Sequence, residues 1–539
     1  MLITDRVVPS RILSFWLLVV IVAIAVHLGS VPLFDSDEGR NAEVARAMAE
    51  TNDYVVPRLN GLPYVDKPVV YFAAEAALME VLGPTELAAR LPAYLFTLAT
   101  AAMIFWFARR LWGGDAPWIA SIVFLAMPFT VAFARIVIFD SALTFFAVVG
   151  LVGCYLAVEE GNRRWAILAW VAMGLAMITK GPVTFVLVLF VAMPYAWRRA
   201  RLRVLFPLTG LLLFAAIVGP WVWGVSRVVP DFLQYVIFTE TAARMTTPDL
   251  ERTGPPWFFL PYLVAGALPW SIVALASWRA VRDKRSELLY LLLWIAIPLT
   301  FFSLSQSKLP QYILPLMPAV ALLIARIWPE TRTRAAAVLV AAIGCILFTA
   351  PFVLHRTEMK PEVAAVADDT AIVLGIVFVI AGVAALFVRR KELVLVALTT
   401  PFISLPLTTN PLMHALGERR SMKSFVAELA PYVGPQTKII GLEAYTGSLA
   451  FYLRRPVILV SDDASELTSN YLISIYDDLT RDAASPVRKE SYFEATVRDC
   501  CTPRIYIVKI RDGQRRAVLE SLGWRAVADS ARLVAYVKP

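Results

Sequence analysis

Charge is scarce in this chain: Asp, Glu, Lys and Arg make up 17% of its 539 residues, against the roughly 25% usual in soluble domains. Histidine and cysteine are scarcer still. The three histidines, His27, His355 and His414, are scattered, and the four cysteines show no disulfide framework and no zinc-ligand spacing. Cys154 and Cys345 lie inside apolar segments, and the vicinal Cys500-Cys501 reads as two unpaired thiols rather than a redox disulfide. A disulfide-stapled secreted fold and a His/Cys metal cluster are thereby excluded. What fills the chain instead is apolar, 59% of residues with a mean hydropathy of +0.66, and over this length that specifies an integral membrane protein. The net charge of +9 comes from short basic clusters between apolar segments: Arg109-Arg110, Arg163-Arg164, Arg198 to Arg203, Arg279 to Arg285, Arg332 with Arg334, and Arg389-Arg390-Lys391. That is the positive-inside pattern, so the charge sets topology and does not point to nucleic acid.

Apolar segments lie at about 12–33, 87–108, 117–134, 139–157, 165–179, 182–197, 204–225, 257–277, 287–304, 310–327, 335–353, 371–388 and 393–409, several near the short end of the spanning range of roughly 17–25 residues. The first is too long, and lacks the small-residue site, for a removed signal peptide. Thirteen spans, with the basic clusters on the cytoplasmic side, put the N-terminus inside and everything after about residue 410 outside. From Met413 the composition is that of a soluble domain. Runs at 438–441, 457–460, 472–475, 504–508 and 533–537 read as strands, with helices over 422–429 and 514–522, which argues a small α/β domain. The expected fold is a polytopic α-helical membrane protein with a C-terminal α/β soluble domain, divided as 1–412, including a first outer loop over 34–86, and 413–539.

The isolated charges gather on the outer side. Phe34-Asp35-Ser36-Asp37-Glu38-Gly39-Arg40 sets three carboxylates and an arginine where the first span leaves the membrane, a costly placement unless they pair or line a wet cavity. Asp35 or Ser36 could N-cap a helix running through Ala42, Ala45 and Met48, with Glu38 in its first turn, but one cap leaves the other charges unexplained. Lys180 and Lys308 each stand alone beside apolar segments, as snorkelling lysines or as anion binders. Asp140, five residues after Arg135, either caps the fourth span or faces the outer site with Arg135. Glu240 and Arg244 are spaced i,i+4, and Trp257 and Trp270 fit an interfacial aromatic belt. Asp462-Asp463 follows a strand and reads as its terminus rather than a metal pair.

The first-loop motif, Val55-Val56-Pro57-Arg58-Leu59-Asn60-Gly61, Tyr64-Val65-Asp66-Lys67-Pro68, Thr179-Lys180-Gly181, and the stretch Phe302 to Pro315 ending Lys-Leu-Pro-Gln-Tyr-Ile-Leu-Pro together resemble one family. It is the integral-membrane GT-C glycosyltransferases related to the bacterial lipid A 4-amino-4-deoxy-L-arabinose transferases, and more distantly to the protein O-mannosyltransferases. The resemblance covers essentially all of the membrane part, and thirteen spans followed by an outer-face domain is that family's plan. It implies transfer of a sugar from a polyprenyl-phosphate donor to a lipid or glycan acceptor on the periplasmic face of a bacterial inner membrane, among membrane lipids and without nucleic acid. By match to its motifs, Asp37 is the key first-loop carboxylate, with Glu38 beside it, and Asp140 its partner. Lys67, Arg244 and Tyr312 look like lipid-phosphate binders and Arg40 and Tyr64 like cavity residues, with Lys180, Glu240 and Lys308 added as substrate-binding candidates. Where the family's arabinose transferases show Glu before the lysine and His after the later glutamate, this chain has Asp66 and Thr241. The resemblance therefore implies neither a cofactor nor aminoarabinose in particular, and a divalent metal stays open. A transporter of a lipid-linked sugar is the main rival, against which stand the absence of visible internal repeats and the crowding of charges on one face; an assembly protein leaves the first-loop charges without a purpose.

Overall fold

The structure, a computed structural model, describes residues 11–243, 253–353, 360–499 and 502–538, with side chains left aside at 241–243. Arg244, His355 and the Cys500-Cys501 pair lie outside the described residues, and Thr241 is described in its backbone only. Two compact units are formed: residues 1–28, 90–223 and 237–412 make the first, residues 29–89, 224–236 and 413–539 the second. The first outer stretch, grouped with the membrane part in the sequence division, thus belongs to the same unit as the C-terminal residues.

The first unit is helical. Among the described residues eight helices are long and apolar enough to cross a membrane, or nine if Phe259–Gly266 and Trp270–Ala276, which meet at 97°, make one broken span. Asp140–Glu160 and Pro310–Glu330 are 83% buried over their apolar windows and form the interior of the bundle, whereas Leu202–Val228 is 17% buried and faces outward. The difference from thirteen has local causes. The segment at 12–33 is helical only over Arg11–Ala25. The segment at 117–134 breaks into Ala116–Leu125 and Pro128–Phe133, because a proline pushes the residue before it out of the helical region and Met127 is extended. Arg163–Lys180 is long enough but carries three charges, and Val183–Arg198 has 16 residues.

In the second unit, six strands lie in the order Val487–Arg488, Ile458–Val460, Lys438–Leu442, Arg504–Lys509, Leu533–Val537 and Arg525–Asp529, the first four parallel and the last two antiparallel. Ile440, Leu442, Tyr506, Val508 and Tyr536 fill the core on one face of this sheet against Phe493, Leu519 and Trp524. The expected strand over 472–475 is instead the helix Asn470–Ser474. Ser469 accepts the amide of Leu472, and the Asp66 carboxylate accepts the amides of Asn470 and Tyr471 at 3.1 Å each, so the free amides of a helix start are satisfied.

The stretch over residues 29–89 is stitched onto this sheet domain. Asn60-Gly61, both at positive φ, turns a two-residue hairpin between Arg58–Leu59 and Leu62–Pro63, and the Asn60 amide pairs both ways with the backbone of Val457 at 2.8 Å. The helix Asp37–Thr51 packs on Gly447–Leu453 through two glycines: a Cβ on Gly39 would stand 2.4 Å from the Ser448 nitrogen, and one on Gly447 2.1 Å from the Arg40 nitrogen. The glycine of the first-loop motif is therefore a backbone contact point. Inside the same helix, Arg46 holds the fully buried Glu43 by two hydrogen bonds of 2.6 and 2.7 Å. Burial nonetheless keeps the Glu43 carboxyl above its usual range.

Candidate functional site

The carboxylates of the first-loop motif have different surroundings, and that separates their roles. Asp35 does not cap its own helix: its side chain, 2% exposed, accepts the Ser448 amide at 2.9 Å and the Ser448 hydroxyl at 2.5 Å, and burial raises its pKa against those bonds. Ser36, at the N-cap position, makes no capping bond. Glu38, expected as a second catalytic carboxylate, is turned back on the chain, where it accepts the Phe34 amide at 3.1 Å and is buried. Asp37 alone of the three projects, with its side chain 73% exposed, and Arg40 meets it at 2.6 Å. The same guanidinium donates to the carbonyl and the hydroxyl of Thr468, each at 3.0 Å, and lies 5.9 Å from the centre of the buried Tyr64 ring.

Asp66, like Asp35, is fully used in structural bonds. Besides the two amides of Asn470 and Tyr471 it accepts the hydroxyl of Tyr235, and its own carbonyl takes the Lys67 ammonium at 2.6 Å. Lys67 is half-buried beside it. Both Asp66 oxygens are thus occupied, and the described residues contain no group of three His, Cys, Asp or Glu side chains able to hold a metal. The arrangement does not fit a metal at Asp66.

The first unit brings together a second set. Asp140 is not a cap: it lies in the first turn of Asp140–Glu160, 1% exposed, and the Lys180 ammonium reaches both of its oxygens at 2.6 Å. Lys180 ends the helix Arg163–Lys180 and stands 5.1 Å from the centre of the Tyr312 ring. The apolar segment at 310–327 opens with a 3-10 turn, Pro310–Leu316, which sets Tyr312 against Phe302 and Phe259. Lys308 is outside this cluster and donates to the carbonyl of Ser305. Arg135 donates to the carbonyls of Ile24 and Val26, closing the end of Arg11–Ala25, and is not paired with Asp140. Glu240 is half-buried on the π-helical stretch Tyr235–Ala243, and the i,i+4 pairing expected for it with Arg244 lies outside the described residues.

Three participants escaped the sequence reading. Thr468 and Tyr471 precede the run at 472–475 that reads as a strand; Ser469 followed by an apolar run is the available sign of a helix start there. The third is Glu75 on the helix Val70–Leu82, 0% exposed and without a hydrogen bond to either carboxyl oxygen. Burial, with the nearby Glu38 charge adding, holds its pKa well above the ordinary 4.5. A carboxyl so raised stays protonated in the folded state while the unfolded chain ionises, so its contribution to stability is present below the unfolded pKa and lost as pH rises toward the folded one. Glu75→Gln is expected to raise the unfolding temperature more at about pH 7.5 than at about pH 5. Equal shifts at the two pH values in a thermal melt would exclude this titration.

The chain has the GT-C fold of membrane glycosyltransferases, on its likeness to a solved structure of that fold. Residues 66–223 match the family described as dolichyl-phosphate-mannose-protein mannosyltransferase. The chain is similar to proteins named undecaprenyl phosphate-alpha-4-amino-4-deoxy-L-arabinose arabinosyl transferase. It is 34% identical over 303 residues to the one named transferase 1 of Pseudomonas fluorescens, covering 54% of this chain and 55% of that protein. With that of Erwinia tasmaniensis it shares 30% over 358 residues, 62% and 65% of the two chains. These matches span just over half to about two thirds of the relatives' length. The crystal structure of ArnT from Cupriavidus metallidurans bound to undecaprenyl phosphate is similar over 97% of both chains, with a TM-score of 0.84 and 26% identity.

Proposed function

We propose that this protein is a glycosyltransferase that moves a sugar from an undecaprenyl-phosphate donor to a lipid A-like or other envelope acceptor. The observation that carries the reading is Asp37. Of Asp35, Asp37, Glu38 and Asp66, it is the one whose carboxylate projects while the others are buried in structural bonds. The undecaprenyl phosphate bound to the Cupriavidus ArnT supports the donor class, and the names of the relatives support sugar transfer.

The chemistry asked of the side chains is modest. A sugar phosphate is already activated, so cations need only hold the departing lipid phosphate, as Lys67 would by charge-assisted hydrogen bonds, while a carboxylate is placed near the nucleophile. With a hydroxyl acceptor, Asp37 takes its proton as general base. With an ionised phosphate acceptor, Asp37 orients it or steadies positive charge developing on the sugar ring. We further assign thirteen crossings, an inside N-terminus and an outside C-terminal α/β domain from the alternation of the arginine clusters.

The test is direct. Purified protein is incubated with undecaprenyl phosphate-linked 4-amino-4-deoxy-L-arabinose or a lipid-linked hexose and with lipid A, and the products are read by mass spectrometry. A gain of one sugar on the acceptor is expected from at least one donor. No gain from either, with movement of the donor across vesicle bilayers, would make the protein a transporter. A reporter fused after residue 413 should be active only on the periplasmic side, and cytoplasmic activity would refute the assigned topology.

A further inference from the structure

We propose that the segment Thr468 to Tyr471 is a positioning strap for the transferase site, holding Asp37 through Arg40 and holding the Asp66-Lys67 corner through the start of its helix. The proposal rests on the reading of Asp37 given above and adds a role for the C-terminal part of the chain.

Three separate pieces of the second unit converge on these four residues. Arg40 is the first: one guanidinium nitrogen donates to the carbonyl and hydroxyl of Thr468 at 3.0 Å each, and another donates to Asp37 at 2.6 Å. The exposed carboxylate is thus oriented by an arginine that is itself fixed by Thr468. The second is Asp66, whose two oxygens take the amides of Asn470 and Tyr471 at 3.1 Å, while its carbonyl holds Lys67 at 2.6 Å. The third is the stretch over residues 224–236. There the Tyr471 hydroxyl donates to Asp231 at 3.1 Å, and Tyr235 donates to Asp66 and meets the Tyr471 ring edge-on at 5.1 Å.

The backbone of Thr468 adds an independent sign. It sits at φ +52, and Ala464, on the other side of the turn Ser465–Leu467, at φ +58. Left-handed backbone is rare for a β-branched residue, and such strain persists where surrounding bonds over-determine it, commonly at functional sites. Glycine would occupy this position at less cost. What threonine supplies that glycine does not is the hydroxyl that receives Arg40.

That contrast is the experiment. Full-length Thr468→Gly, Thr468→Ser and parent protein are compared by thermal unfolding, by hydrogen exchange over residues 35–42, by undecaprenyl phosphate binding, and by kcat and KM with the donor that the parent accepts. For Thr468→Gly we expect an unfolding temperature no lower than the parent's and unchanged undecaprenyl phosphate binding and KM. Exchange over 35–42 should be several-fold faster and kcat roughly tenfold lower, the low end for a lost hydrogen bond to a charged group. Thr468→Ser should restore both. If exchange and kcat of Thr468→Gly equal the parent's, the strap does not position Asp37; if Thr468→Ser loses as much as Thr468→Gly, the hydroxyl is not the reason. An inactive parent whose 35–42 segment still loosens in Thr468→Gly would refute the transferase reading and leave the strap standing.

Discussion

Asp37→Asn is expected to slow sugar transfer by about 10²–10⁴-fold, the contribution of a general base, in a protein that folds and binds undecaprenyl phosphate like the parent. Asparagine keeps the shape and can still accept from a helix start, so the first turn of Asp37–Thr51 loses little. The ion pair with Arg40 costs little either: the Asp37 side chain is 73% exposed, and exposed pairs contribute about 0–1 kcal/mol. A neutral amide, however, takes no proton from a hydroxyl and gives no charge to an electron-poor sugar ring. Single-turnover assays on purified protein decide the matter, and transfer within a few-fold of the parent rate would remove Asp37 from the chemistry. Glu38→Gln is the comparison. Its carboxylate is buried against the Phe34 amide, so the change should register in stability ahead of turnover.

Lys180→Met is the second large effect, and here folding is expected to fail before chemistry. Asp140 is 1% exposed, and both of its oxygens take the Lys180 ammonium at 2.6 Å. Removing the lysine leaves a buried carboxylate without its cation, which costs roughly 3–5 kcal/mol, whereas replacing both partners with groups of similar volume is often neutral. The double variant Lys180→Met with Asp140→Asn should therefore recover most of the unfolding temperature lost by Lys180→Met alone, in detergent or nanodiscs. If the single variant melts with the parent, the pair contributes no net stability. If the double variant melts normally yet fails to transfer sugar, the pair serves the reaction as well as the fold.

Much of this could be read from residue order because the signals were local. The helix through Ala42, Ala45 and Met48, the Asn60-Gly61 turn, and the strands at 438–442, 458–460, 504–509 and 533–537 each follow from a few neighbouring residues. What could not be read depended on partners far along the chain. The stretch 472–475 has the composition of a strand, and it is a helix because Asp66, about four hundred residues earlier, accepts its first amides. Asp35 looked like a cap for the helix beside it and is used by Ser448 instead. Asp140 reads either as a cap or as a charge facing the site, and its partner Lys180 lies 40 residues on, at a distance in sequence where no periodicity connects them. The proline breaks at Pro128 and Pro269 were legible as residues but not as interruptions, since hydropathy continues across them.

The contact of Gly39 with Ser448 has a consequence for the order of synthesis. Asp35 and Ser448 are bonded across 413 residues of sequence, and at about 5–20 residues per second a ribosome needs roughly 20–80 s to make that interval. Throughout that time the acidic loop already exists without the surface its backbone is shaped to fit. The end of the chain therefore completes a part made near its beginning, and every protein molecule truncated before residue 448 would carry the acidic loop without its template.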